Sequence, residues 1–151
     1  MKRIDVKLSL PVVAPLLDLL RQVALSLQEK LASPLRMEDI DEEMLEIWSE
    51  DLLQEQNTEI RQLLQLFDDE FFTTGLVRID QKHADPILRA TASLRMELRL
   101  QHLGDIKDGE LENGQVDPDG MRQDKRQAFL CYVFLATLQE LIIKHLEEGM
   151  T

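Results

Sequence analysis

The stretch AFLCYVFLATLQELIIKHL, residues 128–146, decides the fold class. It is long enough for a helix, and its apolar residues fall on all sides of a 3.6-residue repeat instead of along one stripe. A helix of that kind needs other helices around it, so the sequence predicts a helical bundle with this segment at its centre. Its uninterrupted apolar part, residues 128–136, is well short of the ~20 apolar residues of a membrane-spanning helix. A buried core helix is therefore expected, and no membrane span. Cys131 lies inside the run, where a cysteine reads as a small buried hydrophobe and not as a reactive thiol. The helix is predicted from about Met121 to Glu148, with Gly149 beyond it.

Working outward, residues 85–103 carry a second helical pattern that begins at a capping Asp80 or Asp85 and stops at Gly104. Residues 94–100, LRMELRL, alternate like a strand. Leu, Met, Arg and Glu are strong helix formers, however, and no β-branched residue is present, so helix is the reading. Residues 41–72 form one helix or two: Leu45, Trp48 and Leu52 repeat at helical spacing, as do Ile60, Leu63, Leu64, Phe67 and Phe71. Asn57 and Thr58 make a good N-cap and favour a break between the two sets. At the front, Ser9 caps a helix that runs to about Leu31, and Pro15 sets where its regular part begins.

Two short segments alternate with period two. Residues 2–8 hold Ile4, Val6 and Leu8 on one side, and residues 76–80 read LVRID. Both contain Arg-Ile-Asp. Paired antiparallel with Arg3 opposite Asp80, every charge meets its opposite and every β-branched residue meets another. The fold predicted is thus mainly α: a single-domain bundle of four or five helices over residues 1–151, with a short two-stranded antiparallel β-ribbon. A flexible acidic connector is expected at about residues 104–120.

That connector, GDIKDGELENGQVDPDG, invites a calcium reading. With Gly120 at the sixth position of an EF-hand loop, Gln115 stands first and Arg126 twelfth. A guanidinium has no lone pair to offer a cation, so the motif fails and a connector ending in an Asp-Pro-Asp-Gly turn is expected. His83, His102 and His145 fall in no metal-ligand spacing. There is no Gly-rich phosphate loop and no G-x-S-x-G. No catalytic residue, metal or cofactor is assigned.

The formal charge of −12 disfavours nucleic acid and anionic lipid as partners. Residues 37–60 hold ten acidic residues and no Lys or Arg. Among them Glu42, Glu43, Glu46, Glu50 and Asp51 form a candidate surface for a basic partner. A second candidate site lies on the 85–103 helix, where Arg95, Arg99 and His102 share one sector between apolar flanks. Either the arginines hold carboxylates of neighbouring helices, or, with Tyr132 and Gln139, they line a pocket for a small anion.

YVFLATLQELIIKHL, residues 132–146, resembles the Y-x-W-L-x-x-L-Q-E-x-L-V signature of an uncharacterised bacterial domain-of-unknown-function family. That family is common in actinobacteria and often encoded beside the Clp protease adaptor. Tyr132, Leu135, Leu138, Gln139 and Glu140 match, and Phe134 stands where Trp is usual. LRMELRLQHLG resembles the family's LRLxLGxRLG with a one-residue shift near Arg99. The resemblance implies a mostly helical domain with no established activity, and its gene neighbourhood hints at regulated proteolysis.

The leading functional expectation is a non-catalytic, cytoplasmic interaction or regulatory protein; a single cysteine and no secretory leader suit a reducing compartment. An oligomer of this chain is compatible with that reading. The rivals are a binder of a small anionic ligand around Arg95 and Arg99, and a DNA-associated regulator.

Overall fold

A computed structural model describes residues 2–33, 41–106, 110 and 117–147. Strand β1 (Arg3–Lys7) leads into helix α1 (Leu10–Ser26), followed by α2 (Glu42–Leu64) and the short α3 (Asp69–Thr74). Strand β2 (Leu76–Asp80) continues through a 3-10 turn (Gln81–His83) into α4 (Ala84–His102). A second 3-10 turn (Pro118–Gly120) precedes α5 (Gln123–Ile142), which ends in a π turn (Ile143–Glu147). The fold is mainly α with a two-stranded antiparallel ribbon, as the sequence predicts.

The ribbon has the expected register: Arg3 opposite Asp80, Ile4 opposite Ile79, Asp5 opposite Arg78 and Val6 opposite Val77. Val77 and Ile79 are buried at 1% exposure each, so the ribbon packs one face on the helices and does not stand alone. Its charges pair across the strands in part: Arg78 Nε lies 4.0 Å from Asp5, as expected, while the other contacts differ. Arg3 lies 3.2 Å from Asp5 on its own strand, and Arg78 reaches Glu70 at 2.9 Å. Asp80 accepts from the His83 backbone N–H at 3.1 Å and so caps the turn into α4. Gln81 N donates to Lys2 O, and Gln81 Nε2 to Leu146 O, so the ribbon clasps the start of α4 and the π turn that follows α5.

Gly75 makes the turn into β2. Its φ of 79° closes α3 in the left-handed region, and its N–H donates to Phe71 O at 2.7 Å. Its carbonyl accepts from Leu8 N at 2.8 Å.

Three boundaries differ from expectation for tertiary reasons. Helix α1 runs through Pro15 from Leu10, and it ends at Ser26, with Leu27 its C-cap, instead of near Leu31. Beyond it, the chain is held by Gln56 of α2, whose Nε2 donates to Leu27 O and Lys30 O while its Oε1 accepts from Ala32 N. Helix α2 does not break at Asn57. Asn57 Nδ2 donates to Gln28 O, and Thr58 Oγ1 donates back to Gln54 O, so both polar groups are satisfied mid-helix. The break falls at residues 65–68, where Asp68 caps α3 through Phe71 N. Gly104 follows α4 as expected, though Gly75 is the positive-φ glycine among the described residues.

The core is continuous from Val13, Leu17 and Leu20 of α1 to Leu94 and Leu98 of α4 and Leu135 and Leu138 of α5. Met96 and Leu100, the other half of the alternating LRMELRL, are exposed on the opposite side of α4. The central position predicted for the last helix belongs to α4, which packs on α1, α2 and α5. Helix α5 is apolar all round, yet Leu130, Val133 and Ile143 face outward at 37–49% exposure. By length and composition alone, Gln123–Leu146 could cross a membrane. In this fold its Phe129, Tyr132, Leu135, Leu138, Ile142 and Leu146 are core residues.

Candidate interaction surface

The first half of α2 begins at Asp41, whose Oδ1 accepts from Glu43 N at 3.2 Å. Glu42 and Glu43 then sit at the positive end of the helix dipole, which favours carboxylates. The buried residues of α2 are Gln56, Glu59, Ile60 and Leu63, all in its second half. Residues 42–55 contribute none to the core. Glu42, Glu43, Glu46, Glu50 and Asp51 are exposed there, as is Glu55.

What the sequence reading missed lies between these carboxylates. Met44, Ile47, Trp48 and Leu52, spaced like a helix stripe, are 43%, 47%, 39% and 40% exposed. Helical spacing alone assigns such residues to a core, and only the packing of the other helices reveals which stripes go uncovered. The stripe leads to a cleft of about 300 Å³ between α2, α4 and the segment after α1. Leu31, Ala32, Leu52, Ala92 and Met96 supply its apolar wall. Glu55, Glu59 and Arg89 stand at its polar side.

The cations around the cleft are already engaged. Arg89 Nε donates to the Glu59 carboxylate, and this hydrogen bond raises the guanidinium above its already high ordinary pKa. Lys30 Nζ lies 2.9 Å from Glu97, a carboxylate only 2% exposed that also accepts from Gln101 Nε2 at 2.8 Å. The two buried carboxylates are thus compensated; among the described residues no ion pair reaches Glu42, Glu43, Glu46, Glu50 or Asp51, while Glu55 acts electrostatically on Arg89.

The second candidate resolves into two places. Arg95, Tyr132 and Gln139 come together: Arg95 Nη1 donates to Gln139 Oε1 at 2.5 Å and Nη2 to Tyr132 OH at 3.0 Å. The guanidinium carbon lies 4.5 Å from the Tyr132 ring centroid, a cation–π contact. Gln139 Nε2 in turn donates to Leu88 O at 3.4 Å. This network ties α4 to α5 and uses donors that an anion would need. His102, two turns on, lines a separate polar cavity of about 460 Å³ with Asp105, Arg122, Asp124 and Lys125. There Lys125 donates to Asp105, which holds that carboxyl below its ordinary value, and Arg122 lies 3.5 Å from Asp124. Arg99 is half-buried on the turn between the two places.

One pair resembles acid–base machinery. His83 Nδ1 and Asp80 Oδ1 are 2.6 Å apart, beside a cavity lined by Gln62, Gln65, Leu66, Arg78, Ile79 and Ile87. No Ser, Thr or Cys lines this cavity. Asp80 Oδ1 also accepts from His83 N, in the turn into α4. Burial pushes the Cys131 thiol up to about 12.

At the end of the acidic connector, Asp117 Oδ1 accepts from Asp119 N at 3.0 Å, and Arg126 lies 3.9 Å from Asp119. The remainder of the connector, residues 107–109 and 111–116, lies outside the described residues. Among the described residues no group of three His, Cys, Asp or Glu is placed to hold a metal ion.

Among known proteins, no family model, no curated protein and no solved structure matches this chain.

Proposed function

We propose that this chain is a non-catalytic interaction protein that meets a basic partner with the first half of α2. The observation that carries the reading is a helix half rich in carboxylates, Glu42 to Glu55, with no Lys or Arg and no residue in the core. A helix segment that does not serve packing is open to another use. Its carboxylates, spaced within one another's Debye length of ~10 Å, raise a shared negative potential that speeds encounter with a cationic surface. The internal network around Arg95 favours a structural role for that seam over capture of an anion. A regulatory role in a reducing compartment fits the buried thiol.

The test is affinity capture at low salt with two baits. One is the native chain, and the other carries Glu42→Gln, Glu43→Gln, Glu46→Gln, Glu50→Gln and Asp51→Asn. Proteins held by the native chain, released by salt and absent from the neutralised bait support the reading. Identical captures from both baits, or none from the native chain, would sink it. A melting-temperature screen against anionic metabolites separates the rival: concentration-dependent stabilisation would favour the small-ligand reading instead.

A further inference from the structure

Resting on that reading, we infer that the partner's contacting element is an amphipathic basic helix. Its apolar side would lie along Met44, Ile47, Trp48 and Leu52 and anchor in the cleft at Leu52, Ala92 and Met96. Three observations converge on this occupant.

The first is apolar. Four large side chains at 39–47% exposure fall within nine residues of one helix, and Met96 at 48% continues the patch across the cleft. Scattered exposed apolar residues are ordinary, but four on one helix sector, interleaved and flanked by carboxylates, mark a docking surface. Carboxylates alone would call for a merely cationic partner; the stripe calls for one that also buries apolar side chains.

The second is the backbone. The stripe and the α4 side of the cleft are helical, and their main-chain groups are spent within their own helices. They therefore offer no strand edge for an extended peptide to join. A partner segment must satisfy its own backbone, and a helix does so.

The third is charge. Glu43 and Glu50 border the stripe, while Asp51 and Glu55 stand within it; all four are exposed. A second copy of this chain, at a net charge of −12, would bring acidic helix against acidic helix. Anionic lipid meets the same repulsion. Lys and Arg flanking the apolar residues of a helix complement the surface on both counts.

Trp48, the chain's single tryptophan, sits on the stripe and reports occupancy directly. The probe is a synthetic peptide of about 18 residues, built from Leu and Lys at helical spacing so that one face is apolar. Its controls are a scrambled peptide of the same composition and oligolysine of equal charge. The amphipathic peptide should bind with a blue shift of Trp48 emission, and both controls about tenfold more weakly. Leu52→Gln with Met96→Gln, both at exposed positions, should cost the amphipathic peptide about tenfold while leaving oligolysine affinity unchanged.

If all three peptides bind alike and Trp48 does not shift, the helix inference falls and the acidic-surface reading survives. If not even oligolysine binds at low salt, the acidic-surface reading itself has failed. Concentration-dependent self-association with a Trp48 shift, seen by sedimentation without peptide, would give the stripe to a second copy and overturn the proposal.

Discussion

Replacing Gly75 by alanine should unlatch the ribbon. At a φ of 79° an L-residue pays about 1–2 kcal/mol for the left-handed region. The added Cβ would also stand 2.5 Å from the Leu8 carbonyl oxygen, a separation that forces something to move. Leu8 is poorly placed to retreat, because its N–H donates to Gly75 O at 2.8 Å and anchors the end of β1. Weakening that hydrogen bond adds about 1 kcal/mol. The total is about 2–4 kcal/mol, which for a domain of this size lowers Tm by roughly 5–15 °C. Circular dichroism melts of native, Gly75→Ala and Gly75→Asn proteins divide the two causes. Asparagine tolerates the left-handed conformation but carries the same Cβ, so it should recover only the conformational share. An alanine variant melting within a degree or two of the native chain would refute the argument.

Gln56→Ala removes the three hydrogen bonds that hold residues 27–32 against α2, and should destabilise by about 2–3 kcal/mol in urea unfolding. Cys131 should resist thiol reagents in the native state and react fully once unfolded. Its pKa rises from 9.0 to about 12 on folding, so the unfolded chain loses this proton first and stability falls as pH climbs through that window. The slope is at most ~1.4 kcal/mol per pH unit, and the difference between native and Cys131→Ala proteins should isolate it. Millimolar Ca²⁺ should leave Tm unchanged, with Arg126 turned toward Asp119; a rise of several degrees that a chelator reverses would contradict the connector reading.

The ribbon was legible to the residue because its information is local and redundant. Two Arg-Ile-Asp tripeptides allow one antiparallel register that matches both charge and branching, and a one-residue slip would turn Ile4 and Val6 to solvent. The end of α1 and the continuity of α2 were not legible in this way. Asn57 and Thr58 look like a cap in sequence, and nothing local says that Asn57 will instead find Gln28 O across the fold. The acidic half of α2 could be read from composition, since a run without Lys or Arg has no cation of its own to neutralise it. Its apolar stripe could not, because Trp48 and Leu52 carry the same helical spacing as Ile60 and Leu63, which are buried at 4% and 0%. Which stripe the other helices cover is a property of the assembled bundle. The seam at Arg95 was visible as a pattern on one helix. Its resolution needed the crossing with α5 that brings Tyr132 and Gln139 to it.

The most direct test is to ask where a partner touches. Backbone hydrogen exchange would be compared for the chain alone and in complex with a protein recovered by the low-salt capture. The account predicts slowed exchange in residues 42–55 and in the α4 turn around Met96, with the segments around Tyr132 and Gln139 unchanged. Protection that falls on those segments, or on the His102 cavity, and leaves residues 42–55 exchanging freely would contradict it.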